Sequence, residues 1–168
     1  MKFIVRDIFD TDVDTYWNAL FFDAEYNDRM YREALGFKNF ETIELTGEPG
    51  ERRTRTMRTE PAAEAPAVVR KVIGDTLTYT ERGHWEPDSQ IWHYQIQTSK
   101  LADKVKIGGR LWAEPRGEHR CERVVEIEVE VKVFGVGGAI EKFIEKTTRD
   151  SYVRATKFTN AFIAEKRL

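Results

Sequence analysis

The chain has 168 residues, of which 40% are hydrophobic, 12% aromatic and 33% charged, a composition typical of one globular domain of ordinary size. Its 27 basic and 29 acidic residues alternate along the chain and leave a net charge of −2, which argues against a nucleic-acid partner. The single cysteine, Cys121, excludes an internal disulfide and a cysteine-built zinc site and suits a reducing compartment. We therefore expect a single domain over residues 1–168.

The chain also lacks the apolar runs that targeting to a membrane requires. Residues 1–7 carry charges where a signal peptide needs an apolar stretch, and no uncharged stretch approaches the length that crosses a bilayer. We therefore expect a cytoplasmic location.

The first elements are predicted to be one strand and two short helices. Residues 3–9 are apolar and β-branched enough for a strand. Thr11, with Asp14 three residues later, has the pattern of a capping box and predicts a helix start. A second helix is predicted over 24–35, because Gly36 follows at the position where left-handed geometry ends a helix.

A hairpin is predicted next, with strands over 37–46 and 52–59 around the turn-forming cluster 47–50. The second strand is rich in arginine and can pair across strands with Glu41 and Glu44 of the first. We interpret it as a solvated, ion-paired face, formed by Arg52, Arg53, Arg55 and Arg58.

A low-complexity stretch over 60–66 is predicted to be a long surface connection rather than a domain linker. It leads into a short helix over 68–73, which Gly74 is expected to close. This segment is a candidate gate to an interior site.

Four further segments alternate apolar and polar residues with a period of two, which predicts successive strands of an antiparallel meander. In the last of them five aliphatic residues alternate with three glutamates and a lysine, so one face meets the core and the other meets water. The segments are 77–85, 91–98, 105–113 and 125–133.

The C-terminal part is predicted to be one amphipathic helix over 138–166, roughly 43 Å long at 1.5 Å per residue. No helix breaker follows Gly138, and apolar or small residues recur at spacings of three and four. They are Ile140, Phe143, Ile144, Thr147, Ser151, Ala155, Phe158 and Phe162.

This order of elements predicts an α+β fold in which a curved antiparallel sheet of about seven strands wraps around the long C-terminal helix. The two short helices after strand one would close one end. The sequence resembles the START-like, or helix-grip, superfamily (SRPBCC, birch-pollen-allergen-like), closest to a bacterial branch known only as a domain of unknown function. The segments that carry the resemblance are 69–81, 85–87, 109–115 and 136–142.

The resemblance implies a hydrophobic ligand cavity between the sheet and the C-terminal helix. Superfamily members include binders, transporters and a few cyclase or hydratase enzymes, so the fold alone does not decide the function. The parity of each strand and the spacing of the helix give the residues that would line such a cavity, and the alternative is that they pack together as a filled core. These candidate ligand-binding residues are Tyr79, Glu81, Trp85, Trp92, Tyr94, Leu111, Ile127, Val129, Val131, Phe143, Thr147, Ser151 and Phe158.

Glu81 is the exceptional member of this set, because it shares a face with Tyr79 and Trp85. An unpaired carboxylate there would be costly and its pKa would rise. Glu81 therefore needs a partner, which could be an arginine on the neighbouring strand, Tyr94 or a ligand hydroxyl. A structural ion pair or a water-exposed strand end would explain it equally well.

The leading functional hypothesis is the binding, or transport, of a lipid or another hydrophobic small molecule, with transient membrane contact as a further interaction. One alternative is a polyketide-cyclase-like enzyme acting on an aromatic or polyketide-like substrate, with Glu81 and Tyr94 as the polar pair. Another is an interaction module with a filled core that uses an exposed Trp112.

The sequence favours a binding protein over an enzyme, since it offers no assembled nucleophile, base and orienting residue. We predict no catalytic residue, cofactor or metal site. The histidines are not spaced as metal ligands and are expected at the surface. They are His84, His93 and His119. The oligomeric state stays open.

Overall fold

The computed structural model describes residues 1–62, 65–74 and 76–168. Ala63 and Glu64 of the predicted surface connection, and Asp75 within the first segment of the family resemblance, lie outside the described residues. Seven strands are present: β1 Lys2–Phe9, β2 Asn39–Thr46, β3 Arg53–Glu60, β4 Tyr79–Glu86, β5 Ile91–Thr98, β6 Val105–Pro115 and β7 Cys121–Val131.

Four helical regions accompany the strands. The first two are short α-helices that each continue into a wider π-helical stretch. The regions are α1 Val13–Thr15 with its extension Tyr16–Phe21, α2 Ala24–Arg29 with its extension Met30–Ala34, α3 Ala67–Ile73 and α4 Gly137–Lys166.

The start of α1 differs by one residue from the prediction. Asp12, not Thr11, is the N-cap, and its Oδ1 accepts a hydrogen bond from the backbone N–H of Thr15 at 2.8 Å. Thr11 is buried instead. The end of the second helix is as predicted, since Gly36 has a φ of +65°.

The strands form one antiparallel sheet in the order β1-β7-β6-β5-β4-β3-β2. Consecutive strands from β2 to β7 are neighbours, while β1 pairs with β7 at the opposite edge. The predicted α+β helix-grip class is confirmed: a seven-stranded antiparallel sheet, a long C-terminal helix and short helices after the first strand.

Helix α4 has 30 residues, about 45 Å at 1.5 Å per residue, and packs most closely on β1 and β7. A buried ion pair joins these two strands: Arg123 Nη2 lies 2.6 Å from Asp7 Oδ2. Thr156 of α4 donates a hydrogen bond from Oγ1 to the other oxygen of Asp7, also at 2.6 Å. Asp7 therefore fixes the C-terminal half of α4 to the sheet.

Helix α3 covers the other end of α4. Val69 and Ile73 are buried against Ile140, which lies in the first turns of α4. Gly74 follows with a φ of +79°, as predicted for the residue that ends α3. The short helix thus lies over the N-terminal end of the long one.

The arginines of β3 correct the prediction of a solvated face. Arg53 and Arg55 are only 9% and 5% exposed, whereas Arg52 is exposed and lies 3.0 Å from Glu86. Strand alternation places Arg53 and Arg55 on the concave face with Met57. Their flat guanidinium groups pack on aromatic rings there, which makes burial tolerable. The prediction is wrong for these two residues.

Across the described ranges, every helix is too short or too polar to cross a lipid bilayer.

Candidate functional site

The concave face of the sheet holds a largely buried charged pair between β3 and β4. Arg55 of β3 places Nη2 3.8 Å from Oε1 of Glu81 on β4. The same guanidinium donates to the backbone carbonyl of Phe21 and lies 4.3 Å from the centre of its ring. The partner that Glu81 requires is thus an arginine on the neighbouring strand.

Burial raises the pKa of the Glu81 carboxyl above its ordinary value, while Arg55 and the indole of Trp92 act in the opposite direction. The side chain nevertheless keeps 16% of its surface accessible. Glu81 is therefore an interior carboxyl that takes a proton more readily than a surface glutamate and stays partly accessible to solvent.

Four tyrosines lie near enough to Glu81 for its charge to oppose their ionisation: Tyr31, Tyr79, Tyr94 and Tyr152. They come from the π-helical extension of α2, from β4, from β5 and from α4. Burial raises the pKa of each phenol, to about 12 for Tyr152. Tyrosines from the sheet and from two helical elements thus lie in the same interior region as Glu81, although the hydroxyl of Tyr94 is directed to the backbone carbonyl of Glu126, at 3.5 Å.

Tyr152 is held in place by the buried ion pair of Arg123 and Asp7. The guanidinium of Arg123 lies 4.6 Å from the centre of the Tyr152 ring and 4.9 Å from that of Phe9. The hydroxyl of Tyr16, also in this region, is buried without a hydrogen-bond partner among the described residues. This network connects the anchoring of α4 to the position of one site tyrosine.

The predicted ligand-binding residues fall into two groups. Those on the inner face of the sheet near its middle are buried, namely Trp85, Trp92, Tyr94, Leu111, Ile127 and Val129. The others keep part of their surface accessible, namely Tyr79, Glu81, Val131, Phe143, Thr147, Ser151 and Phe158. The second group includes both sheet and α4 residues, so the accessible surface occurs on both sides of the interior.

The sequence interpretation missed three members of the cluster: Arg55, Tyr31 and Tyr152. Tyr152 directly follows the predicted Ser151 on α4, and a wider apolar stripe on that helix would have included it. Tyr31 lies in an extension whose π-helical geometry changes the facing of its residues, which a regular helical spacing does not predict.

His84, His93 and Trp112 lie on the outer surface of the sheet, whereas His119 lies in the turn between β6 and β7. His84 and His93 stack with their ring centres 5.2 Å apart, and His119 is exposed. Within the described part of the chain, no three histidine, cysteine or acidic side chains are grouped to hold a metal ion. Trp112 is half-buried and donates from Nε1 to Glu114 at 2.8 Å, so its ring is less exposed than predicted.

A family model matches residues 5–163, almost the whole chain; its description is "Protein of unknown function (DUF2505)". No match was found among proteins with curated descriptions.

Several solved structures share the fold over nearly their full length. TTHA0849 from Thermus thermophilus is 12% identical, with a TM-score of 0.69, and the match covers 99% of each chain. The Zhui aromatase/cyclase from Streptomyces sp. R1128 is 13% identical, with a TM-score of 0.66 and coverage of 98% and 95%. A START superfamily protein from Mycobacterium smegmatis is 14% identical, with a TM-score of 0.61 and coverage of 98% and 97%. These likenesses confirm the START-like fold.

Proposed function

We propose a ligand-binding function for this chain, which belongs to the DUF2505 family of proteins of unknown function. The proposed ligand is a hydrophobic small molecule with a polar group, held between the concave face of the sheet and α4. The observation that carries this proposal is the interior carboxyl of Glu81, which is paired with Arg55 and still partly accessible.

The accessible inner side chains support a space rather than a filled core. Phe143 and Phe158 of α4 and Tyr79 of β4 are large and lie on the inner faces, yet all three keep part of their surface accessible. In a filled core, packing at the density of an organic crystal would bury such side chains almost completely. A gap between α4 and the middle strands explains their exposure.

The polar groups would fix the orientation of the ligand. Ligand sites are mostly apolar, with a few convergent polar groups that provide specificity. A protonated Glu81 could donate a hydrogen bond to a ligand hydroxyl or carbonyl, whereas an ionised Glu81 could accept one from a ligand hydroxyl only. The aromatic walls from Tyr31, Tyr94 and Tyr152 favour a ring-bearing molecule over a simple acyl chain.

A second candidate function is proton transfer on such a ligand. The raised pKa of Glu81, caused mainly by its burial, is the observation that favours it, because an acid-base group works best with a pKa near the operating pH. The structural likeness to an aromatase/cyclase concerns the fold. For an enzyme, Glu81→Gln would abolish turnover while ligand affinity stays within a few-fold of the parent; a variant that turns over normally would contradict this candidate.

The binding proposal can be tested with 1-N-phenylnaphthylamine, a neutral apolar fluorophore. Ser151 lies on the inner face of α4, one turn before Ala155, whereas Val153 is 70% exposed on the outside. We expect the parent to bind the fluorophore, Ser151→Phe to weaken binding about tenfold or more by filling the space, and Val153→Phe to leave it unchanged.

Native mass spectrometry of protein purified from its own host would then identify the bound molecule. The binding proposal fails if the parent takes up neither the fluorophore nor any co-purifying apolar molecule. It also fails if Ser151→Phe and Val153→Phe bind the fluorophore equally well.

A further inference from the structure

A separate recess of about 190 Å³ opens between α1 and the β2–β3 turn. Three of the residues that line it are aromatic, alongside polar ones such as Asn18 and Gln90. The ring centres of Trp17 and Trp85 are 5.7 Å apart, and that of Phe22 lies 6.5 Å from that of Trp85. A space of this size holds one small ring compound, since cavities of about 150 Å³ bind benzene.

Arg53 supplies the only cation among the described residues of this wall. It is 9% exposed, and its guanidinium lies 4.0 Å from the centre of the Phe22 ring. Its Nε is buried without an acceptor, and none of the ion pairs found in the described ranges includes it. The neighbouring Arg52 and Arg55, by contrast, each have a glutamate within 4.0 Å.

The charge of Glu48 acts on Arg53 from a distance, without forming an ion pair with it in the described structure. A buried cation without a close counter-charge is costly, and an anion that reached it would remove part of that cost. Burial lowers the pKa of Arg53, but an arginine side chain stays charged at neutral pH. Its planar fork matches the two oxygens of a carboxylate, and flat rings pack well on aromatic walls.

We propose that this recess binds a small aromatic carboxylate, with the carboxylate on Arg53 and the ring against Trp17 and Trp85. The site goes beyond the function proposed above, because it uses a different arginine and a carboxylate instead of a hydroxyl or carbonyl.

Two acidic residues oppose an anion at this site: Glu48, whose charge acts on Arg53, and Asp14 on the wall of the recess. Asp14 is exposed on the wall and forms no ion pair with Arg53 in the described structure. Its negative charge would weaken carboxylate binding modestly through water. Asp14→Asn should therefore tighten binding about two- to fivefold, a change that a cation-binding recess would show in the opposite direction.

Fluorine NMR with 4-fluorobenzoate and its uncharged analogue 4-fluorobenzamide tests the proposal. We expect the parent to bind the benzoate about tenfold or more tightly than the benzamide, and Arg53→Gln to lose that preference. Arg52→Gln is the matched control, since Arg52 is exposed, paired with Glu86 and on the opposite face; it should bind like the parent.

Near-ultraviolet circular dichroism establishes that each variant is folded. Arg53→Lys is a second variant that keeps the charge, and it should retain part of the preference for the benzoate over the benzamide. The proposal is overturned if the parent binds both compounds equally or neither, or if Arg52→Gln loses as much as Arg53→Gln. The naphthylamine assay tests the interior site separately. If Arg53→Gln binds that fluorophore with parental affinity, the interior site is intact, and the result for the recess does not bear on it.

Discussion

Replacing Arg55 by methionine should make the stability of the protein depend more strongly on pH. The substitution keeps an apolar stem against Phe21 but removes the charge 3.8 Å from Glu81. It also removes the hydrogen bond to the Phe21 carbonyl, a loss of about 1.5–3 kcal/mol that does not depend on pH.

The pH-dependent part follows from the direction in which the pKa of Glu81 shifts. Burial raises this pKa above the ordinary value of 4.5 and Arg55 lowers it, so Arg55→Met raises it further. Between its unfolded and folded pKa values, Glu81 binds a proton only in the folded state, and the free energy of unfolding falls as pH rises. The variant therefore keeps losing stability, about 1.4 kcal/mol per pH unit, over a range in which the parent has already levelled off.

Urea unfolding at steps from about pH 5 to pH 8 measures this difference. For a chain of this length, each pH unit in the affected range corresponds to about 3–6 °C in Tm. The double variant Arg55→Met with Glu81→Gln has no carboxyl to titrate and should show no extra pH dependence. A constant difference between the parent and Arg55→Met across the range would refute the placement of Glu81 as an interior carboxyl opposed by Arg55.

Three further predictions concern the structure that surrounds the site: a buried ion pair, the pairing of β6 with β7, and the interior tyrosines. Arg123→Met should lower the free energy of unfolding in urea by about 3–5 kcal/mol, because it leaves the buried carboxylate of Asp7 without its ion-pair partner. The control Arg120→Met breaks an exposed ion pair and should lower it by about 1 kcal/mol or less. Equal losses in the two variants would contradict the account. Gly109→Ala should lower the free energy of unfolding by about 2–3 kcal/mol, since a Cβ there would lie 1.9 Å from a backbone oxygen of β7. Gly138 has open space around it at the start of α4, so Gly138→Ala should be neutral or stabilise the protein by up to about 1 kcal/mol. A larger loss of stability in Gly138→Ala than in Gly109→Ala would refute the close pairing of β6 with β7. All six tyrosines have pKa values raised chiefly by burial, so the native protein should show little tyrosinate absorbance at 295 nm near pH 10. The protein should lose stability as pH rises beyond about 10, because only the unfolded chain releases those protons. Titration of even two phenols with an ordinary pKa in the folded state would contradict the burial of these phenol groups.

The parts of the fold that the sequence predicted well are those with an unambiguous period. From Val125 to Val131 the aliphatic residues of β7 alternate strictly with glutamates, although the strand runs over Cys121–Val131 and not over the predicted 125–133. In α4 apolar and small residues recur every three or four positions. The turn between them was also predictable, since Gly135 has a φ of +77°. The role of Gly137 was not predictable, because it depends on the short distance between the start of α4 and the end of β7. A Cβ at Gly137 would lie 2.6 Å from the backbone oxygen of Val131.

The arginines of β3 could not be placed from the strand alone. Alternation divides Arg53 and Arg55 from Arg52 and Arg58, so each face of the strand carries two arginines and charge does not indicate which is concave. The rings of Phe21 and Phe22 cover the guanidinium groups of Arg55 and Arg53 and so make their face the concave one. These rings come from a distant segment of the chain. The inward-facing apolar residues and the need of Glu81 for a partner were therefore predictable, but which arginine is that partner, and the burial of Arg53, were not.

The central claim is that α4 and the sheet enclose a space able to hold a hydrophobic molecule beside Glu81. A crystal structure of the ligand-free protein tests it most directly through the volume between Tyr79, Phe143 and Phe158. We predict an enclosed volume of roughly 300 Å³ or more, enough for a small-molecule ligand. A continuous packed core, with these three side chains in mutual contact and no such space, would contradict the account.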